Sequence, residues 1–252
     1  MKVEQEIESV YNTCTFPINI VRYQIKLGGE IMKSGLTEPF KMFNDLKGKF
    51  TVIAARPDVE DTYFMVDIIN NCVGRKLYFN LKSERELLKD RIKVNDVELI
   101  TVPITIEDIN IMCEAMINYG LRTVLIDYLE LVGTKDKYNN FVTQQLYIVN
   151  ELKRIAQDYN ISVVVLSTLP RYIDQREDKR PKLSDVKTYI RFKADVLIFL
   201  YKENYLTMLN IAKSFNNSFG TIDLHFDIED KTFIFLGTND GRLSWKNFFK
   251  HT

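Results

Sequence analysis

The stretch from Phe50 to Ile69, FTVIAARPDVEDTYFMVDII, has the layout of a phosphate-binding loop. An apolar strand runs into a short loop with Arg56 and Pro57, and an amphipathic helix follows. The chemistry of such a loop rests on a glycine that lets backbone N–H groups turn inward, and on a lysine just before Ser/Thr that neutralises phosphate charge. Here Glu60-Asp61-Thr62 stands where Gly-Lys-Thr would be needed. A second stretch, TVLIDYLELVG, ends an apolar run in Asp127. An aspartate at the carboxyl end of a buried strand suits a magnesium shell. Taken alone it is equally a strand-terminal residue capping a turn.

A third stretch, STLPRYIDQREDKRPKLSDV, opens the most basic part of the chain. From Arg171 to Lys193 there are eight basic residues (Arg171, Arg176, Lys179, Arg180, Lys182, Lys187, Arg191, Lys193) against four acidic ones. It follows a buried strand, so it emerges at the edge of a sheet where ligands bind, unless it is simply a solvated surface loop.

The elements that must hold these residues are legible in the hydrophobic pattern. Apolar runs at 50–55, 76–80, 97–102, 122–127, 161–167 and 194–201 are short, rich in β-branched and aromatic residues, and apolar on both faces. That is what a parallel sheet covered on both sides requires. Helical spacing fills the intervals near 59–72, 83–92, 106–119 and 140–159, the last with a stripe of Leu146, Val149, Leu152, Ile155, Ala156 and Tyr159. After Tyr201 the runs LTMLNIAK, GTIDLHFD and KTFIFLG follow with no room for helices, and predict antiparallel strands. The expected fold is therefore α/β, a doubly wound, mostly parallel sheet with antiparallel strands near the C-terminus. Residues 1–47 are expected to be an N-terminal arm and lead-in, with a possible helix in VEQEIESVYNTC, and 48–252 one domain.

Bulk composition narrows the function classes. Lys and Arg balance Asp and Glu at 34 each, so nucleic-acid binding needs a local patch. Three widely spaced cysteines, Cys14, Cys72 and Cys113, fit neither a disulfide framework nor a zinc site, and favour a reducing compartment. Two histidines, His225 and His251, argue against His-based metal sites and a Ser-His-Asp triad, with His225 structural in an alternating strand. No apolar run is long enough to span a bilayer and the start MKVEQEIE is no secretory signal, so a soluble cytoplasmic protein without membrane contact is expected.

The loop QREDKRPKLSD (175–185), with STLPR before it and ADVLIFLYKENY after it, resembles the DnaB-type replicative helicases. In that family a strand ending Ser-Gln-Leu precedes Gln-Arg-Glu-Asp-Lys-Arg-Pro, then Ser-Asp-Leu, Asp-Ala-Asp and a strand ending Phe-Leu-Tyr. VLIDYLEL, NIAKSFNNSFGTIDLHFD and VIAARPDVEDT fall in family order and spacing, so the resemblance covers roughly 35–235. It implies a RecA-like motor domain, an ATP-driven hexameric DNA helicase, and partners that are DNA and further helicase subunits. No counterpart of the primase-binding domain of full-length relatives is expected in the residues ahead of this region.

The resemblance also shows where this chain departs. Family loops read Ala-Arg-Pro-Ser-Met-Gly-Lys-Thr; Ala55-Arg56-Pro57 and Thr62 match, whereas Glu60 replaces the glycine and Asp61 the lysine. At roughly 4 Å and an effective dielectric near 20, each unit charge pair is worth about 4 kcal/mol, so reversing one sign removes several orders of magnitude in phosphate affinity. The position of the family's catalytic glutamate is Lys82, with Glu84 next door more suited to starting a helix. The glutamine of Ser-Gln-Leu is Thr168, and the arginine finger of Lys-Gln-Arg-Asn-Gly aligns with Phe215, although Lys213 remains. Thr62 and Asp127 persist as the vestige of a magnesium site. The resemblance implies that Lys213, Arg176 and Arg180 lie at a subunit interface. It also implies that the loop after Ser-Asp reaches DNA phosphates through Lys187, with Arg191 and Lys193 adding charge and Tyr189 either stacking on a base or packing inward. The sequence thus leads to a catalytically inactive RecA-fold protein of replication or of a mobile element. It would have no cofactor, and would act through a DnaB-like helicase, itself in a ring, or single-stranded DNA. The alternatives are a working ATP-dependent helicase with an atypical nucleotide site, and a single-strand-binding module that forms no ring.

Overall fold

Nine strands form one sheet in the order β3-β2-β4-β5-β1-β6-β7-β8-β9. The structure, a computed structural model, describes residues 38–56, 59–82, 88, 90–203, 205–216 and 219–238. Strands β1 (Phe50–Ala55), β2 (Arg75–Asn80), β3 (Val97–Ile100), β4 (Leu121–Asp127), β5 (Ser162–Thr168) and β6 (Val196–Glu203) run parallel. β7 (Leu206–Lys213), β8 (Gly220–Asp227) and β9 (Thr232–Thr238) continue the sheet antiparallel. The helices are α1 (Glu38–Lys41), α2 (Asp61–Asn71), α3 (Ile106–Ile117), α4 (Phe141–Asp158) and α5 (Thr188–Lys193).

The strands are apolar on both faces because both faces are covered. Successive side chains alternate: Val52, Ala54, Leu77, Phe79, Val124 and Ile126 belong to the core beneath α3 and α4. Ile53, Ala55, Tyr78 and Leu125 belong to the opposite core, closed by α2 and by Phe40, Met42, Phe43 and Leu46. The last residues of the expected lead-in are therefore built into the domain interior. The part of that arm at 1–37, with its expected helix, and most of the helix expected near 83–92 lie outside the described residues.

Local chemistry sets the helix starts. Thr105 accepts from the Asp108 amide at 3.3 Å to cap α3, and Asn140 accepts from the Thr143 amide at 2.9 Å to cap α4. On α4 the buried stripe is Gln145, Ile148, Val149, Leu152, Ile155 and Ala156. Leu146, expected inside, is 38% exposed, and Gln145 takes its place. A 3.6-residue repeat drawn back from Leu152 and Val149 reaches 145, so the leucine one position on turns outward. β3 ends at Ile100 and not at Val102, and α5 lies within a segment expected to be loop. Cys72 and Cys113 are buried free thiols, and Cys14 lies outside the described residues. His225 stands exposed on β8.

Candidate functional site

The carboxyl ends of β1, β2, β4 and β5 form one crest. The register puts Asn80 of β2 opposite Asp127 of β4, and Ala55 of β1 opposite Thr168 of β5. Since β1 sits between β5 and β6 while the chain next builds β2 beyond β4, the crest is where strand order reverses, the usual place for a ligand crevice. Arg56, Glu60, Asp61, Thr62, Lys82, Asp127 and Thr168, far apart in sequence, are brought to this crest or its rim.

Glu60 takes a left-handed conformation (φ 51°, ψ 38°) immediately before α2. This costs a residue with a Cβ roughly 1–2 kcal/mol relative to its ordinary conformations, and glycine avoids that cost. The loop thus keeps a glycine-type backbone at a position that carries glutamate. The Glu60 carboxylate is engaged by Lys202 at 2.9 Å, and Arg56 pairs with Asp174.

Asp61 is the first residue of α2 and only 2% exposed. Its carboxylate accepts the Thr62 amide at 2.9 Å and the Tyr128 hydroxyl, and lies 3.6 Å from the Lys82 ammonium. Lys82 also donates to the Tyr128 hydroxyl at 3.3 Å. A helix N-terminus carries partial positive charge and favours an anion there; in this chain a carboxylate from the helix itself takes the place. Thr62 donates to Asp127 at 2.8 Å, and Tyr78 reaches the same oxygen at 3.4 Å while accepting from Asn80 at 3.1 Å. The other Asp127 oxygen is buried without a partner among the described residues.

Two buried carboxylates here share one ammonium. Burial pushes the Asp127 carboxyl up to about 7, and the negative charge of Asp61 adds to that. Burial also raises Asp61, against the pull of the Tyr128 hydroxyl and the Lys82 charge. Tyr78 and Tyr128 are pushed up by burial first and by nearby carboxylates second, so both stay protonated donors. Among the described residues no group of three or more His, Cys, Asp or Glu side chains is arranged to hold a metal ion.

The basic segment is tied to the fold more than its composition implies. Arg176 grips Asp185 with two nitrogens at 3.0 and 2.9 Å, Tyr172 donates to Asp185 at 3.0 Å, and Arg180 pairs with Glu203 at 2.9 Å. Lys187 lies 3.1 Å from Glu130. Arg191 and Lys193 occupy the last turn of α5, where Ile190 is buried and Tyr189 packs half-buried against the core. Lys213 donates to the carbonyls of Ala194 at 2.5 Å and Arg191 at 3.0 Å, closing the C-terminal end of α5 within the chain. Phe215 packs against the core with the Lys49 ammonium 4.7 Å from its ring centre. It lies just past the end of β7 that pairs with the start of β6, away from the crest. Neither Lys213 nor Phe215 is brought to the cluster around Asp61.

Sequence reasoning missed Tyr128, Glu130, Asp174 and Lys202. Tyr128 and Glu130 lie inside the stretch already singled out around Asp127, so their closeness to it was a usable signal. Asp174 and Lys202 become partners of Arg56 and Glu60 only through the sheet order.

Residues 84–234 match the model of the DnaB-like helicase C terminal domain. That span includes Asp127, the basic segment, β7, β8 and the start of β9, and begins just past Lys82. The replicative DNA helicase DnaC of Bacillus subtilis (strain 168) is 29% identical, over 81% of this chain and 56% of its own length. The replicative DNA helicase DnaB of Geobacillus stearothermophilus is 28% identical, over 82% of this chain and 58% of its own. The chain spans about half the length of the curated relatives it matches. Among solved structures, an isolated ATPase domain superposes with a TM-score of 0.68 at 23% identity, over 75% of this chain and 86% of that one. A DnaB-like replicative helicase studied for its interactions with primase gives 0.70 at 20% identity, over 92% and 75%. These two likenesses carry the RecA-like fold. A family match over more than half of the chain, which takes in β4 and β5 of the crest, makes this protein a member of the DnaB-like helicase C-terminal domain family.

Proposed function

We propose that this chain is a catalytically inactive DnaB-like RecA-fold protein that acts in replication through protein contacts and single-stranded DNA. The observation that carries the reading is the buried Asp61 carboxylate at the N-terminus of α2, held by Tyr128 and Lys82. A nucleoside triphosphate needs cationic and N–H donors there. This site offers an internal anion that already uses the helix terminus and the nearest ammonium. Thr62 and Asp127 are suitable hard-oxygen ligands for magnesium, but the phosphates that would share the ion do not fit beside Asp61. Lys82 stands at the position expected for the glutamate, and an ammonium there does not take a proton from the attacking water.

Protein partners on this reading are a DnaB-like helicase or further copies of this chain in a ring. Of the three cations expected at an interface, Arg180, paired with Glu203, is the most exposed at 65%, while Arg176 and Lys213 support the loop and α5 from within. DNA contact falls to Lys187, Arg191 and Lys193. The persistence of the Thr62–Asp127 pair favours the second reading, an ATP-dependent helicase with an atypical site. Calorimetric titration with magnesium-ATP, beside a working helicase, separates the two. No heat up to millimolar nucleotide is expected; micromolar binding with DNA-stimulated hydrolysis overturns the proposal.

A further inference from the structure

Glu130 occupies a position that no reading of the sequence assigned. It lies in the 3-10 turn Leu129–Leu131 just after β4, and one of its oxygens, Oε1, gathers four donors. These are the Ser167 hydroxyl at 2.7 Å, the Thr168 amide at 3.3 Å, the Thr168 hydroxyl at 3.4 Å and the Lys187 ammonium at 3.1 Å. The other oxygen, Oε2, is buried and has no hydrogen-bond partner among the described residues. Donors from β5 and from the residue capping α5 therefore converge on one point, and the group filling it uses half of its accepting capacity. A buried acceptor left unmade costs free energy, so Glu130 is an imperfect occupant of a well-furnished anion cradle.

The surroundings indicate which anion. The Lys187 ammonium also lies 5.8 Å from the ring centre of Phe141, which begins α4 and is 53% exposed. Val142 and Leu131 are exposed as well. An exposed aromatic ring beside a cation and a set of N–H and O–H donors suits one unit of a single strand, with the base on the ring and the phosphate on the donors. A phosphodiester carries one negative charge and two equivalent outer oxygens, the same charge and acceptor pattern as a carboxylate.

We propose that Ser167, Thr168 and Lys187 form a phosphate subsite for single-stranded nucleic acid, with Phe141 as the adjoining base platform and Glu130 as a built-in occupant that the strand displaces. This rests on the reading of Lys187 as a nucleic-acid contact and adds the cradle, the platform and the competitor. Because Glu130 must leave first, it lowers the affinity of the resting protein and sets a threshold for strand binding.

The test is fluorescence anisotropy of a labelled oligothymidylate of about 20 nucleotides, titrated with wild-type and variant protein at several salt concentrations. Glu130→Gln keeps the shape and removes the competing charge. It is expected to bind about tenfold tighter, with the slope of log affinity on log salt steeper by about one. Lys187→Ala is expected to cancel that gain in the Glu130→Gln background and to matter less alone, a coupling that a double-mutant cycle reads directly. Phe141→Ala should weaken both proteins several-fold. Glu130→Ala gives a second way to empty the cradle should the glutamine variant fail to fold. Wild-type binding with no gain in either Glu130 variant, at unchanged melting temperature, overturns the built-in occupant while leaving Lys187 as a contact. Failure of every form to bind at low salt overturns the nucleic-acid reading itself, and this proposal with it.

Discussion

The Lys82 ammonium lies 3.6 Å from the Asp61 carboxylate, and both reach the Tyr128 hydroxyl. Relative to the pattern that the family resemblance implies, the two charges are exchanged. The loop position of the lysine holds an acid, and the strand-end position of the glutamate holds a base. Each departure alone would set two like charges side by side at the crest. Together they form an ion pair, which gives a physical reason for the two changes to occur in one chain.

The pair is asymmetric, because Lys82 is 31% exposed and Asp61 only 3%. Lys82→Ala leaves a buried carboxylate without its cation and is expected to cost about 1–3 kcal/mol. Asp61→Asn leaves an ammonium that water can reach, and is expected to change stability by less than about 1 kcal/mol. Urea unfolding of both variants checks the difference. A larger loss from Asp61→Asn than from Lys82→Ala would mean that Asp61 matters chiefly for the start of α2 and not for the pair.

The triple variant Glu60→Gly, Asp61→Lys, Lys82→Glu returns glycine to the left-handed position and both charges to the family order. It is expected to fold about as stably as the parent, since the ion pair survives in reverse. On the reading proposed above, it gains measurable magnesium-ATP binding, from none at millimolar nucleotide to tens or hundreds of micromolar by calorimetry. Asp61→Lys alone, which sets two cations side by side, is expected to lose stability.

Stability should fall as pH rises from about 4 to about 7. Burial holds the Asp67 and Asp127 carboxyls up to about 7, whereas in the unfolded chain they titrate near 4. The folded protein therefore binds more protons across that window. The stabilisation is complete below about pH 4 and is lost as pH passes 7. Asp67 accepts from the Phe233 amide at 2.7 Å and the Thr232 hydroxyl at 2.9 Å, so it ties β9 to α2. Asp67→Asn keeps one of these bonds and is expected to flatten the pH dependence of the melting temperature by about half, leaving the Asp127 contribution.

Lys213 holds the last carbonyls of α5, and its own proton is loosened by burial and by the nearby charge of Lys153. A six-residue helix has little cohesion of its own, so this cap matters more than on a long one. Lys213→Met is expected to destabilise the protein by about 1 kcal/mol and to speed amide exchange in α5 at least tenfold. Unchanged exchange there would mean that Lys213 does not hold α5 and would favour the subunit-interface role expected from the sequence.

Arg176 secures the basic segment by gripping Asp185 with two nitrogens. Burial raises the Asp185 carboxyl, but the Lys182 amide, Arg176 and Tyr172 outweigh that and leave it below its ordinary value. Arg176→Lys keeps the charge and loses the fork geometry. It is expected to open the segment between Arg171 and Lys187 to limited proteolysis while moving global stability by about 1–2 kcal/mol.

Much of this protein was legible in its sequence, because the signals are local. Short runs that are apolar on both faces and rich in β-branched and aromatic residues read as strands inside a covered sheet, which places β1, β2, β4, β5 and β6 to within two residues at each end. The change after Tyr201 to strands with short gaps gave the antiparallel extension. Ordered motifs gave the family. The stripe on α4 is misread by one position when hydropathy is weighed above spacing: Leu146 is apolar, but the repeat through Val149 and Leu152 lands on Gln145.

What the sequence could not determine is which charges meet. Asp61, Lys82 and Tyr128 are separated by up to 67 residues and become neighbours because β1, β2 and β4 end at one crest. The same holds for Glu130 with Ser167 and Lys187, and for Lys213 with the end of α5. A charge read along the chain has a sign but no partner. Burial and the order of strands supply the partner, and at distances near 3 Å the partner decides whether a charge is a ligand, a clamp or a cap.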